Sequence, residues 1–432
     1  MADIAAFRGI HYNTDRGNDL AALIAPPYDV MDDRMRDRLY DADPANFVRI
    51  ILNRPEEGDT PGATHRRAAR TLAAWLDQGV LVESTRPSLY VYRQTFPSAV
   101  TGRTLERTGV FAALQLSPYE DGVVLPHEYT KPRAKADRLE LMRATRANTE
   151  PIMVLYEDPG LEIIGVVRDA ATAAAPILHA SVEEVDHTVW AVDDPDIADA
   201  FARGMAYRRV WIADGHHRYE TALTYRDELR MSGAGWPDAE RILVTLIPFE
   251  DPGLVILPTH RMIKGITRDA MELLITELDA SFSATPVADD ERLPNVLQGM
   301  RSADGAFIMA VGHRLTMMHL RSPSLMAAAA KERSAAWRAL DVAILQTLVL
   351  DPLIASHPDA EVVYTRYPAE ALACARAGDV AAAFLVGYPT SDDLRDVTAA
   401  GDRMPAKSTY FDPKLWSGLI MRLLGPAESE PA

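Results

Sequence analysis

The segment that most limits the fold of this chain is "VWIADGHHRYETAL", residues 210–223. Its first four residues are apolar and have the composition of a buried strand. Beyond Asp-Gly, Tyr219 and Leu223 recur at helical spacing, and Gly233 offers a stop. The pattern therefore predicts a strand that passes directly into a helix, with two histidines and an arginine at the junction.

Strand-like and helix-like runs alternate along the rest of the chain. "SLYVYRQTF" and "ERTGVFAALQL" are separated by "PSAVTGRT", which predicts an antiparallel hairpin. A closing helix is expected from Lys414. Because strands and helices are interleaved, the predicted class is α/β, or a mixed α+β fold. We expect an N-terminal ligand-binding domain at 1–262, an α/β domain at 263–425 and a disordered tail at 426–432.

Composition limits the possible partners. The 432 residues are 48% hydrophobic, enough for two or three domains with real cores. Lys and Arg number 45 against 62 Asp and Glu, so the net charge of −17 argues against nucleic acid or an anionic membrane as a partner.

The single cysteine, Cys374, excludes a disulfide framework. No apolar run reaches about 18 residues and "MADIAAFRGI" has no signal-peptide pattern, so a cytoplasmic location is expected.

The histidines and arginine of the junction predict an anion site. A helix N-terminus offers backbone N–H groups and the positive end of the helix dipole, which is worth only about 0.3–1 kcal/mol. Arg218 adds charge and a bidentate fork that suits phosphate or carboxylate. We therefore predict an oxyanion pocket made by Gly215, His216, His217 and Arg218. In the alternative interpretation, Asp214 only caps the helix and the histidines are polar loop residues.

The loop after Pro126 is a second candidate. Glu128 is a possible general base, and Lys135 and Arg138 are possible phosphate contacts. Ligands of α/β proteins bind where strands end, which favours a functional role for this loop. The alternative is a solvated charged loop in which Asp137 caps the following helix.

A third candidate is "GDRMPAKST", residues 401–409, which nearly matches the phosphate loop G-x-x-x-x-G-K-[ST]. Ala406 stands where the second Gly belongs, and Pro405 lacks the N–H group that such a loop needs. The segment is therefore not a Walker motif. Lys407 and Ser408 remain candidate anion contacts.

Two adjacent histidines beside Asp214 also raise the possibility of zinc, with His187 or His260 as a further ligand. Neighbouring residues rarely both reach one metal, and the spacing H-x-x-x-H is absent, which disfavours zinc. Magnesium that arrives with a nucleotide is easier to accommodate. Its candidate ligands are Asp214 and Asp29, the latter presented by the proline-rich loop "APPYDV".

Several blocks together resemble the family catalogued as domain of unknown function 1015. They are "APPYDV", "LPHEYTKPRAKADRLELMRATRANTEPI", "IADGHHRYETAL", "LPTHR" and "MPAKSTYFDPKLWSGL", and they extend over nearly the whole chain. "ADGHHR" also resembles the phosphate motif of the ParB and sulfiredoxin superfamily, which includes free-serine kinases. This second resemblance implies a ParB/sulfiredoxin-like core with a mixed sheet, followed by a C-terminal α/β region. Sulfiredoxin has its catalytic cysteine where His216 stands, so sulfinic-acid repair is not expected.

The resemblance and the residues together suggest a nucleotide-dependent small-molecule phosphotransferase that acts on serine or phosphoserine with Mg²⁺ and ATP or ADP. Phosphoryl transfer needs positioning and positive charge around the phosphoryl oxygens. The candidate catalytic residues are Glu128, His217 and Asp214, and the further anion contacts are Lys135, Arg138, Arg261, Lys407 and Ser408. The alternatives are a non-enzymatic nucleotide sensor and a metal-dependent hydrolase. The oligomeric state stays open.

Overall fold

The computed structural model describes residues 1–290 and 292–425, and the tail at 426–432, predicted to be disordered, lies outside the described residues. The described chain forms two compact units. The first comprises residues 1–126, 130–254 and 413–425, and the second comprises 127–129 and 255–412. Both contain helices and strands, which confirms the predicted mixed α/β class. Whether the predicted segments 1–262 and 263–425 are independent folding domains stays a prediction.

The first unit consists of a mixed sheet and its surrounding helices. Its strands up to residue 254 are β1 (Ile4–Ala5), β2 (Ile10–Tyr12), β3 (Leu81–Glu83), β4 (Leu89–Pro97), β5 (Thr104–Gln115), β6 (Val124–Pro126), β7 (Ala147–Asn148), β8 (Ile152–Tyr156), β9 (Leu178–Val182), β10 (Val185–Val192), β11 (Val210–Asp214) and β12 (Arg241–Pro248). Its α-helices are α1 (Leu20–Leu23), α2 (Asp33–Ala42), α3 (Val48–Ile51), α4 (Ala63–Asp77), α5 (Pro132–Thr145), α6 (Glu162–Thr172), α7 (Pro195–Met205) and α8 (His216–Met231).

Nine strands of the described residues form the main sheet of this unit. The order is β6-β11-β8-β12-β5-β4-β10-β9, and β1 pairs with β5. β11 is parallel to β6 and β12 is parallel to β8, whereas β8 and β11 are antiparallel. The predicted hairpin is confirmed as β4 and β5. Because β8 starts where β11 ends, the residues that precede β8 lie beside the start of α8.

The core of the first unit follows the two-residue period of its strands. Alternate side chains of β5, β8 and β12 are buried against α6, α7 and α8, as expected for one face of a pleated sheet. All five residues of β8 are buried, which places this strand in the interior. The packed core thus fixes the start of β8 and the end of β11, where the candidate site lies.

The second unit has an antiparallel sheet. Its strands are β13 (Val255–Leu257), β14 (His260–Lys264), β15 (Phe282–Val287), β16 (Ala306–Val311), β17 (Arg314–Leu320), β18 (Glu361–Thr365), β19 (Ala382–Val386) and β20 (Tyr410–Asp412). Its α-helices are α9 (Arg268–Leu278), α10 (Leu293–Gly299), α11 (Pro323–Ala329), α12 (Ala335–Ala339), α13 (Asp341–Leu345), α14 (Asp351–Ser356), α15 (Pro368–Ala377) and α16 (Ser391–Ala399). Six strands pair in the order β15-β17-β16-β19-β14-β18. Among the described residues, no helix has the length and apolar character needed to cross a membrane.

After β20 the chain rejoins the first unit as an irregular segment, residues 413–425, that contains the short strand β21 (Arg422–Leu423). The helix predicted from Lys414 is therefore wrong. The backbone of the segment bonds to other chain segments instead, because the N–H group of Ser417 donates to the carbonyl of Ala25 at 2.8 Å. Gly418 has a φ of +92°, and a Cβ atom there would lie 2.9 Å from the ring of Phe47. Pairing with distant segments has overridden the local helical pattern.

Asp341, in the second unit, is a fully buried carboxyl group. Its Oδ1 accepts a hydrogen bond from the N–H group of Ala306 at 3.0 Å. Burial raises the pKa of Asp341 to about 8, and the backbone hydrogen bonds offset only part of that effect. The folded state therefore holds this proton more tightly than the unfolded chain does.

We expect Asp341 to make folding pH-dependent. Its pKa rises from an ordinary 3.8 to about 8 on folding, so its contribution to stability is complete below pH 3.8 and is lost as the pH rises to 8. In wild type the free energy of unfolding should fall by up to about 1.4 kcal/mol per pH unit in that range. In Asp341→Asn this fall should be absent. Urea unfolding between pH 5 and pH 8 measures it. The exposed Asp359→Asn is the control, and parallel pH profiles of Asp341→Asn and wild type would contradict the expectation.

Candidate functional site

The predicted passage from strand to helix is confirmed, because β11 ends at Asp214 and α8 begins at His216. Gly215 joins them with a φ of +96°, in the left-handed region. A Cβ atom at this position would lie 2.6 Å from the side chain of Ile152. Both the backbone angle and the space therefore require glycine here. Since glycine has no side chain, it offers α8 no side-chain cap.

Asp214 is held between two cations. Its Oδ1 accepts from Nζ of Lys414 at 2.5 Å, and its Oδ2 accepts from Nη2 of Arg218 at 2.8 Å. Burial alone would raise the pKa of Asp214, but the charges of Lys414 and Arg218 outweigh burial and hold it well below its usual range. An ionised carboxylate therefore lies at the start of α8.

Arg218 is buried, with 8% of its surface exposed. Besides Asp214, its guanidinium donates through Nη1 to the carbonyl of Pro151. Burial would lower its pKa, but Glu150 and Asp214 raise it, so the group stays charged. The sequence predicts that the Arg218 guanidinium binds a ligand, but in the structure it is hydrogen-bonded to Asp214 and to the carbonyl of Pro151. Its Nε has no hydrogen-bond partner among the described residues.

Glu150 is a site residue that the sequence interpretation missed. It is 4% exposed and immediately precedes Pro151 and β8. Its Oε1 accepts from the N–H group of Tyr28 at 3.3 Å and from the hydroxyl of Ser417 at 3.0 Å. Its Oε2 lies 3.8 Å from Nη1 of Arg138. The available signal was its position in "ANTEP", inside one of the blocks that carry the family resemblance.

Arg138 and Asp29 lie in the same region of the first unit. The Arg138 guanidinium lies 4.0 Å from the centre of the Tyr28 ring and donates to the carbonyl of Ile51 and to Asp137. Arg138 is 6% exposed, so its predicted role as a phosphate contact would need these internal bonds to be exchanged. Asp29 is exposed, and its charge contributes to the raised pKa of Arg218.

A small cavity lies beside the two buried guanidinium groups. Arg138, Glu150 and Arg218 contribute to its lining, and its volume is about 20 Å³. That volume accommodates about one water molecule. A phosphate group does not fit into this cavity unless neighbouring side chains move.

The loop before α5 is bound to α8. Nζ of Lys135 donates to Oε2 of Glu220 at 2.9 Å, and the hydroxyl of Thr130 donates to the same oxygen at 2.7 Å. Nε2 of His217 accepts from the N–H group of Lys131 at 2.8 Å. His216, in contrast, is buried, with 5% of its surface exposed. Lys135 of α5 thus contacts Glu220 of α8, and His217 of α8 contacts the backbone of Lys131. The sequence interpretation missed Glu220 and Lys414.

The remaining candidates form a separate cluster in the second unit. Oε1 of Glu128 accepts from the N–H group of Lys407 at 3.1 Å. Nη2 of Arg261 donates to the carbonyl of Lys407 at 3.1 Å and to that of Ala406 at 3.2 Å. Arg261 is 1% exposed, and burial lowers its pKa to about 10. In this structure Arg261 therefore supports the backbone of the loop.

Lys407 is an exposed residue in an unusual conformation. Its φ is +60°, a left-handed value that side chains other than glycine adopt at a cost. Its backbone is held on both sides, by Glu128 and by Arg261. Ser408 is buried and donates its hydroxyl to the carbonyl of Pro405 at 2.6 Å. The segment leads into β20, so the phosphate-loop arrangement, in which a helix follows, is not formed.

The acidic side chains of the first unit are the candidates for binding a metal ion. Among the described residues, no group of three or more His, Cys, Asp or Glu side chains is placed to hold a metal ion. Mg²⁺ needs fewer protein ligands, since one or two carboxylates complete its shell together with phosphates and water. Both oxygens of Asp214 accept from cations of the protein, and Asp29 is exposed, so a magnesium ion held by these two carboxylates stays a prediction.

The comparison with protein families identifies the class. The family model described as "Protein of unknown function (DUF1015)" matches residues 4–343. The chain belongs to this family, as its sequence blocks predicted. A search of curated proteins finds no significant match.

Solved structures with some similarity were also found. A conserved hypothetical protein from Pyrococcus furiosus is 16% identical, with a TM-score of 0.36, covering 73% of this chain and 95% of that one. A free serine kinase variant in complex with AMP is 13% identical, with a TM-score of 0.35, covering 70% and 86%. SbnI with a C-terminal truncation, from Staphylococcus aureus, is 13% identical, with a TM-score of 0.36, covering 74% and 90%.

Removal of Lys414 should test the buried ion pair. Lys414→Met leaves the Asp214 carboxylate, whose side chain is 16% exposed, with one cation fewer. We expect a loss of about 3 kcal/mol in the free energy of unfolding, since breaking a buried pair leaves an uncompensated charge. Arg143→Met is the matched control, because the Arg143–Glu228 pair is 42% and 33% exposed and should be worth less than about 1 kcal/mol. Equal losses in urea unfolding would contradict this account.

A second pair of variants should test the strain at Lys407. Lys407→Gly and Lys407→Ala both remove the ammonium group, but only glycine relieves the φ of +60°. We expect the glycine variant to be more stable than the alanine variant by about 1 kcal/mol in urea unfolding. If alanine were as stable as glycine, the left-handed backbone would not be under strain.

Proposed function

We propose that this protein is a nucleotide-dependent small-molecule phosphotransferase, and that its first unit binds phosphate groups at the start of α8. The observation that carries the proposal is the carboxylate of Asp214, an anion already held at this helix start by Lys414 and Arg218. Phosphate oxygens seek the same partners, namely a helix N-terminus, a lysine and an arginine fork.

In this proposal, binding exchanges one anion for another. An incoming phosphate competes with Asp214 for the cations of Lys414 and Arg218. Asp214 and Asp29 would hold a magnesium ion, which when bound neutralises charge on the phosphoryl oxygens. The Lys135 ammonium of α5 is a further cation beside α8, because it donates to Glu220, about one turn after the start of that helix.

Two side chains have proposed roles in proton transfer and phosphate contact. Because Nε2 of His217 accepts a hydrogen bond from the N–H group of Lys131, the neutral form of its ring carries the proton on Nδ1. His217 is the proposed phosphate contact at this helix start. We keep Glu128 as the proposed base that takes the proton of the acceptor hydroxyl, with Oε2 as the acting oxygen, since Oε1 accepts from Lys407. The motif resemblance makes serine the first acceptor to test.

A nucleotide sensor is the second candidate function. A phosphate that binds the cations of Lys414 and Arg218 displaces the Asp214 carboxylate from them. Such an exchange gives a ligand different interactions with two states of the protein, which is the requirement for a switch. The metal-dependent hydrolase has no comparable support, since the described residues contain no cluster of three metal-binding side chains.

Measuring nucleotide binding and turnover on the same protein distinguishes the phosphotransferase from the sensor. Purified protein is incubated with Mg²⁺, serine and either ATP or ADP, and phosphoserine is measured; nucleotide binding is measured by calorimetry. For the phosphotransferase we expect product, and a fall in kcat/KM of about 100-fold or more in Glu128→Gln and in Arg218→Lys. Arg143→Met, on exposed α5 surface, should leave both measurements unchanged.

The outcomes are distinct. Tight nucleotide binding without product supports the sensor, provided that Arg218→Lys weakens the binding. Product formation that survives both substitutions removes the residue assignment. If neither nucleotide binds wild-type protein, both functions are excluded.

A further inference from the structure

We propose a second ligand site, in a cleft of the second unit, that binds a free α-amino acid with an apolar side chain. The cleft has a volume of about 450 Å³, within the usual range for small-molecule sites. Its walls come from the loop before β16, the end of β17, and α11 and α12. It lies entirely within the second unit and does not depend on the proposed phosphotransferase activity.

The cleft contains a guanidinium group without an acidic partner. Nη1 of Arg338 donates to the carbonyl of Arg333 at 2.9 Å and to that of Ala330 at 3.5 Å. These bonds orient the group, and among the described residues no carboxylate forms an ion pair with it. The neighbouring Arg333, in contrast, is paired with Asp402 at 3.2 Å. Arg338 therefore keeps donors in a fixed plane that suits a carboxylate.

The same cleft contains a carboxylate without a cationic partner. Oδ2 of Asp304 accepts from the N–H group of Arg301 at 2.7 Å, which fixes the side chain. Within the described residues, Asp304 forms no ion pair with a lysine, arginine or histidine. A half-buried positive group and an exposed negative group thus line one cleft, and among the described residues neither forms an ion pair with the protein.

The remaining surface of the cleft is largely apolar. Leu320, Pro323, Ala327, Ala339 and Ile344 form much of its lining. A side chain of Leu, Met or Phe type would remove apolar area from water there, which favours binding.

This combination selects for a zwitterion. An α-amino acid places its carboxylate on Arg338 and its ammonium group on Asp304, so that both charges of the cleft are paired. A phosphate or dicarboxylate would be repelled by Asp304, and an amine without a carboxylate would be repelled by Arg338. An uncharged ligand would leave both groups unpaired, at the cost of their desolvation.

The experiment is calorimetry on the full chain with L-leucine, L-methionine and L-phenylalanine. Two analogues of leucine each lack one charge: 4-methylpentanoate has no ammonium group, and 3-methylbutylamine has no carboxylate. We expect at least one of the amino acids to bind and both leucine analogues to bind about tenfold more weakly than leucine or worse. Arg338→Gln and Asp304→Asn should each weaken amino-acid binding by about tenfold or more.

The controls keep the test independent of folding. Asp304→Asn retains an oxygen for the N–H group of Arg301, and Arg333→Gln removes a nearby arginine that does not line the cleft. Arg333→Gln should leave the dissociation constant unchanged, and thermal unfolding confirms that each variant is folded. The proposal is overturned if none of the three amino acids binds wild type, or if binding is the same in Asp304→Asn as in wild type.

Discussion

The contact of Asp214 with Lys414 and Arg218 is the interaction on which the candidate site of the first unit depends. The carboxylate ends a buried strand, the arginine lies one helical turn further on, and the lysine comes from a segment 200 residues away. A carboxylate largely removed from water at this point needs cationic partners, and the side chains of Lys414 and Arg218 are 12% and 10% exposed. The Asp214 carboxylate at the end of β11 therefore connects the start of α8, through Arg218, with the segment 413–425, through Lys414.

Glu150 extends this arrangement into a network. It binds the loop of Tyr28 and the hydroxyl of Ser417, and it lies within reach of Arg138. Its charge, with that of Asp214, keeps the buried Arg218 ionised. Because each group serves more than one partner, a ligand that takes one cation changes the electrostatic balance of the others. The proposed exchange of Asp214 for a phosphate group depends on this coupling.

Local features of the sequence predicted part of this site. The turn at Gly215 could be predicted because strand composition, a left-handed glycine and helical spacing all lie within a dozen residues. Glu150 and Lys414 could not, since their roles come from contacts with Tyr28, Ser417 and Asp214 that only the folded sheet creates. The helix expected from Lys414 failed for the same reason. Glu128 and Lys407 were each predicted as site residues, but the hydrogen bond between them joins residues 279 positions apart.

The return of the chain to the first unit has a consequence for biosynthesis. The residues that complete the Asp214 and Glu150 contacts, Lys414 and Ser417, are translated only after the whole second unit. Until the ribosome has passed them, each of the two acidic groups in the nascent first unit lacks one of its partners. Its final closure is thus delayed by about 160 codons of intervening chain, roughly 8–30 s at typical elongation rates. A gene fragment that stops at residue 254 would encode this unit in a permanently unfinished form.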